Sequence, residues 1–330
     1  MLSFYWKCTA IKRNSLYEDA NVRMSKKNIG IGAAFSATLC WGVAIVMSKG
    51  ALNDFPPITL LVFQLLSSVI FLWCVVCSRR RARPGLSDVA KFSWLGLLEP
   101  FLTYMLVLTG MTYSGASEAS VLHSLESIMI VLIAALLFRE YPSGKFVFYS
   151  VLVLLGIFIV LGSESHFINK EWLGAALITL GMLAAAFYVV LSSRIAEKYD
   201  VFYIVASQQT LALIVALFIF PFEWRGFAVS SITWGAWSLA LLSGVIQYAL
   251  AFVFYMVALR YISAGLAGVY LNFVPLVGIA GAFIFLDEKL SLLQLGGASL
   301  IVIALVLISV SAQAKAATYK NLDEPVEKDI

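Results

Sequence analysis

The chain has 330 residues, of which 61% are hydrophobic and 13% charged, and its mean hydropathy is +0.92. A soluble domain carries about twice that charged fraction, so a water-soluble fold is excluded. The net charge of +4 gives no ground for a nucleic-acid partner.

Residues 1–28 are polar and basic and lack the apolar core of a cleavable signal peptide; Met24, ahead of "SKKNIG", is an alternative start. Apolar runs of about 20 residues follow, each long enough for a hydrocarbon core of about 30 Å. They fall at 29–49, 56–77, 92–111, 115–138 and 145–162. A second series falls at 172–192, 201–220, 233–257, 263–286 and 290–312, before a polar tail at 313–330. The connections leave no room for a separate soluble domain. The expectation is an all-α polytopic membrane protein of ten transmembrane helices.

Of the 23 Lys and Arg residues, nineteen fall on the side of the termini, most densely in "SRRRARPGLSDVAK" (78–91). Only Lys49, Lys170, Arg225 and Lys289 fall on the other side. The positive-inside rule then makes both termini cytoplasmic, with the chain in the plasma (bacterial inner) membrane. Cys74 and Cys77 form a C-x-x-C inside an apolar span, where packing is favoured over redox or metal chemistry. No cofactor and no metal site is expected.

Shifted by 148 residues, the chain brings "LLFREYPS" (136–143) onto "IFLDEKLS" (284–291), so that Glu140 meets Glu288. The same shift pairs Gly96 with Gly244, Tyr113 with Tyr261 and Val121 with Val269. A shift of 144 pairs Ser48 with Ser192 and Gln64 with Gln208. Each half, 29–162 and 172–312, then holds five spans. An odd number forces the second half to enter from the opposite face, giving inverted repeats with a site at their interface.

Two such halves, each with an acid-bearing turn before its last span, resemble the EamA group of the drug/metabolite transporter superfamily. The resemblance is carried by "CWGVAIVMSKGAL" (40–52), "LLFRE" and residues 258–308, with Pro275, Glu288, Gly296 and Gly297. Ser127 stands where the family usually has proline. The resemblance implies a ten-helix carrier of small organic metabolites.

Ionisable residues deep in an apolar span usually face a cavity and have a partner. Glu126 lies about 16 Å into its span, and His123 precedes it by three positions on the same side of the helix, within hydrogen-bonding reach. Together they are candidates for binding a proton or a cationic part of a substrate; the alternative is an interhelical hydrogen bond. Glu99, about 10 Å into the third span, is a second candidate. Pro100 beside it weakens the helix. Under the two shifts Glu99 pairs with Gln247 and Gln64 with Gln208. These polar side chains are open to two readings, cavity walls or helix–helix hydrogen bonds. Asn272 precedes the mid-span Pro275. Trp41, Tyr104, Tyr188 and Tyr248 lie within spans, where a cavity can use them and packing is the commoner role. Glu140 and Glu288 read as capping or pairing groups with a part in gating.

No G-x-x-x-x-G-K-[ST] is present to drive transport with ATP. The two histidines, His123 and His166, and the absence of H-E-x-x-H argue against an embedded enzyme. A receptor or scaffold would have larger tails. The expectation is a secondary active transporter of a small organic metabolite (amino acid, amine or drug-like compound), with proton-coupled export leading. Uptake or facilitated exchange is the alternative. The partners expected are that substrate, the lipid bilayer and protons, with a homodimer left open.

Overall fold

Twenty consecutive apolar side chains leave the backbone N–H and C=O groups no partners but one another, which favours helix. The structure, a computed structural model, describes residues 2–79, 84–138, 143–162, 171–196, 198–224 and 232–322, and every regular element among them is helical. Arg139, Glu140, His166, Lys170, Arg225 and the 80–83 part of the basic loop lie outside the described residues.

The first half contains α1 (Leu2–Ala51), α2 (Pro57–Ser78), α3 (Leu86–Met111), α4 (Ala116–Phe138) and α5 (Gly144–Gly162). The second contains α6 (Glu171–Ala196), α7 (Val201–Trp224), α8 (Trp234–Tyr261), α9 (Ala264–Phe285) and α10 (Leu292–Leu322). Starts follow local chemistry. Pro57 occupies the first turn of α2, where a missing N–H costs nothing. The hydroxyls of Thr233 and Ser263 accept from Ala236 N and Leu266 N at the starts of α8 and α9. Among the described residues, eight helices are long and apolar enough to cross a membrane. The apolar stretches of α5 and α10, Gly144–Val160 and Leu292–Ile308, are shorter.

Four helices that hydropathy draws as continuous are interrupted. In α3 a π turn covers Leu97–Leu102, and Glu99 has extended angles of φ −144° and ψ 124°. In α8 a π turn covers Val245–Leu250. α4 divides at His123, between Ala116–Leu122 and Ser124–Phe138, and α9 divides at Asn272 and Phe273. The two π turns lie 148 residues apart, and the other two interruptions nearly so.

The packing is reciprocal. α1 lies against α8 and α9, while α6 lies against α3 and α4. α2 pairs with α7, α4 with α9, and α5 with α10. Glycine allows the closest crossings. A Cβ at Gly96 would fall on the Gln208 backbone, and one at Gly244 on the Gln64 backbone. These two crossings, α3 on α7 and α8 on α2, correspond residue for residue under the 148 and 144 shifts.

Candidate functional site

The interruption in α3 puts Glu99 inside the bundle, only 4% exposed. The peptide joining it to Pro100 is cis. The carbonyl of Leu98 is served by the Thr103 hydroxyl at 3.0 Å, and that hydroxyl also lies 3.3 Å from Gly181 O on α6. Glu126, in the first turn after the α4 division, is 9% exposed. The two carboxylates lie within electrostatic reach of each other. Among the described residues neither has a hydrogen-bond or ion-pair partner, yet their oxygens are not among the sealed polar atoms.

The hydrogen bond between His123 and Glu126 that their spacing allows does not form. The buried imidazole donates from Nδ1 to Ala119 O, one turn back, at 2.7 Å, because a carbonyl can only accept. The division of α4 between the two residues sets them on different segments. Pro275 likewise opens the second segment of α9, at its first turn, rather than sitting within a continuous span.

A cluster of aromatic rings lies beside the carboxylates. Tyr104 meets Tyr248 edge-on at 4.7 Å, and Phe252 lies 5.5 Å from Trp41 and 5.8 Å from Tyr188. Trp41 meets Tyr255 at 5.2 Å. Glu99 lies within electrostatic reach of Tyr104, Tyr188, Tyr248 and Tyr255, and Glu126 within reach of Tyr104 and Tyr255. Trp41 Nε1 and Tyr255 Oη in this region are sealed and unpartnered, as are both side-chain heteroatoms of Asn272 at the α9 division. Buried polar groups nearly always find partners. Of these atoms, Tyr255 Oη belongs to a residue within electrostatic reach of both unpaired acids.

The glutamines stand one layer out. Gln64 Nε2 donates to Ser48 Oγ at 2.9 Å and Ser243 Oγ at 2.8 Å, and its Oε1 accepts from Tyr248 Oη at 3.3 Å. Ser48 Oγ in turn donates to Gln247 Oε1 at 2.9 Å. Gln208 accepts from Tyr188 Oη at 2.9 Å and donates to Phe92 O at 3.2 Å. Of the two roles open to Gln64, Gln208 and Gln247, the structure shows interhelical hydrogen bonding, and two of these bonds hold tyrosines of the ring. The neighbouring Gln209, bonded to Ser68 and to Tyr248 O, completes this layer. Sequence reasoning passes over Phe252 and Tyr255. Their signal was the stripe Tyr248, Phe252, Tyr255, spaced as one helix face.

Each end of the bundle has a cavity. One, of about 440 Å³, is lined by Lys49, Gly115, Ser117, Glu288 and Lys289. There the Glu288 carboxylate accepts from Ala116 N at 2.7 Å and Ser117 N at 2.9 Å, tying the α9–α10 turn to the start of α4. Lys49 Nζ donates to Met111 O at 2.7 Å and Ser114 O at 2.8 Å, tying α1 to the end of α3. The other cavity, of about 730 Å³, is lined by Val131, Ser193, Arg194, Arg260 and Ala264.

The sequence profile described as the EamA-like transporter family matches residues 28–162 and again 172–310. An uncharacterized transporter of Methanothermobacter thermautotrophicus is 25% identical over 292 residues, spanning 80% of this chain and 81% of its own. The uncharacterized transporter YoaV of Bacillus subtilis is 26% identical over 284 residues, spanning 84% and 94%. A solved crystal structure, 17% identical, superposes with a TM-score of 0.67 and covers 86% of this chain and 98% of its own.

Proposed function

The chain belongs to the EamA-like transporter family, and from that premise we propose that it is a secondary active transporter exchanging protons for a small organic metabolite. Its ten spans form two inverted five-helix halves that rock about the Glu99–Glu126 cluster, with both termini cytoplasmic in the plasma membrane. The reciprocal packing and the recurrence of the helix interruptions at one sequence shift support the two-fold design.

The observation that carries the proposal is the pair of buried carboxylates without a protein partner. An unpaired charge in that position is costly, so each carboxylate is neutralised by a proton or by a cationic group. Because one set of oxygens serves both, proton and substrate exclude each other. That makes the exchange antiport. Protons running inward down the gradient across a plasma membrane drive the metabolite out. His123, three residues before Glu126 on α4, is assigned the part of passing protons toward it.

The test uses purified protein in proteoliposomes, with an internal pH dye reading the proton flux elicited by a panel of amines, amino acids and drug-like compounds. At least one compound is expected to elicit flux, and Glu126→Gln to abolish it while the protein remains monodisperse. Glu99→Gln is expected to reduce it strongly. Flux that survives both changes sinks the assignment.

A further inference from the structure

The cluster around Glu99 and Glu126 is electrically one-sided. Among the described residues, no lysine or arginine is within electrostatic reach of the two acids. Lys49 is spent on the carbonyls of Met111 and Ser114. Arg260 donates to Ala196 O and Tyr199 O at the far end of the bundle, and Arg79 lies over the Phe202 ring. Lys91 pairs with Asp88. The one imidazole nearby, His123, has its Nδ1–H taken by Ala119 O. A ligand carboxylate entering here would meet two acids and find no cation to pair with. An amino acid, whose carboxylate cannot be left behind, is therefore a poor fit.

What the cluster does offer suits the opposite charge. Tyrosine and tryptophan faces attract cations, most strongly where water is excluded. Trp41, Tyr104, Tyr248, Phe252 and Tyr255 also supply flat apolar walls. Tyr255 Oη, buried beside Trp41 and without a partner, is an acceptor that an ammonium N–H would satisfy once a ligand parts the rings.

We infer that this cluster recognises a monovalent organic cation with a flat apolar body and no acidic group, for which protons compete at the Glu99 and Glu126 oxygens. The inference rests on reading the chain as a proton-coupled transporter and narrows its substrate to one class.

Phenethylamine, phenylalanine and 3-phenylpropionate share a ring and a two-carbon chain and differ in their charged groups: cation, zwitterion and anion. Calorimetry on the full chain in lipid nanodiscs is expected to show phenethylamine binding at least about tenfold tighter than the other two. Glu126→Gln and Glu99→Gln each weaken it by a similar factor. Tyr255→Phe, which keeps the shape of the site, serves where a carboxylate variant fails to fold. Benzyltrimethylammonium, whose charge does not titrate, is expected to bind more weakly as the medium is acidified. Among the described residues, the titratable groups facing the site are Glu99, Glu126, His123, Tyr104, Tyr188, Tyr248 and Tyr255, and protons on these produce that loss.

Phenylalanine or phenylpropionate binding as tightly as phenethylamine overturns the inference, as does the absence of binding by all four probes. If zwitterions elicit proton flux while amines do not, the transport reading stands and the substrate class falls. If amines bind but nothing elicits flux, the site stands and the coupling falls.

Discussion

The hydroxyl of Tyr255 is sealed and has no hydrogen-bond partner, whereas that of Tyr248, two turns earlier on α8, is bonded to Gln64. The two tyrosines should therefore respond in opposite ways to loss of oxygen. Tyr255→Phe removes an unsatisfied group, so thermal unfolding should show stability unchanged or raised by up to about 1 kcal/mol. Phenethylamine affinity should nevertheless fall about fivefold. Tyr248→Phe should instead cost about 1 kcal/mol of stability, because it leaves Gln64 Oε1 short of a donor. A stability loss at Tyr255 as large as that at Tyr248 would make its hydroxyl structural and remove it from the site. Glu99 and Glu126 were legible in the sequence because a carboxylate in an apolar run is conspicuous at any register. Tyr255 was not, since it is one of fourteen tyrosines. What distinguishes it is a missing partner, which exists only once α1 and α8 have packed.

Helix positions were legible because hydropathy sets them, but their interruptions were not. A π turn at Leu97–Leu102 and another at Val245–Leu250 leave the apolar count unchanged. Pro100 hinted at the first, while no proline marks the second. The crossings beside these turns were visible only as coincidences of the self-alignment, Gly96 with Gly244 and Gln64 with Gln208. Their meaning is contact: each glycine lies against the backbone of a glutamine in the other half. Backbone cannot swing away as a side chain does, so Gly96→Ala and Gly244→Ala should each destabilise by about 1–3 kcal/mol. Gly32→Ala, with nothing near the added methyl, should cost nothing and supplies the control. Melting curves of the three variants in the same detergent decide the matter. Equal melting temperatures would mean the crossings are looser than described.

At the scale of the whole molecule, alternating access requires contacts that close one end and then let go. Glu288 was legible as a capping group, but its own helix was the obvious candidate. The structure has it cap α4, 172 residues away in sequence, through Ala116 N and Ser117 N. With Lys49 holding the end of α3, this forms a clasp on the end opposite the termini. Each charge-assisted bond of Glu288 is worth about 1.5–3 kcal/mol net. Removing both should favour opening at that end by at least about tenfold, the equivalent of 1.4 kcal/mol. Ser117, only 3% exposed, reports on it. In a chain whose own cysteines are replaced by alanine, Ser117→Cys should react slowly with a membrane-impermeant maleimide, and Glu288→Ala should speed that reaction several-fold. Glu288→Gln, which keeps one accepting oxygen, should fall between the two. An added saturating cation that raises labelling in the parent chain but not in Glu288→Ala would tie the clasp to the transport cycle. Identical rates in all three chains would make Glu288 a static cap, and the closing contact would then lie with Lys49.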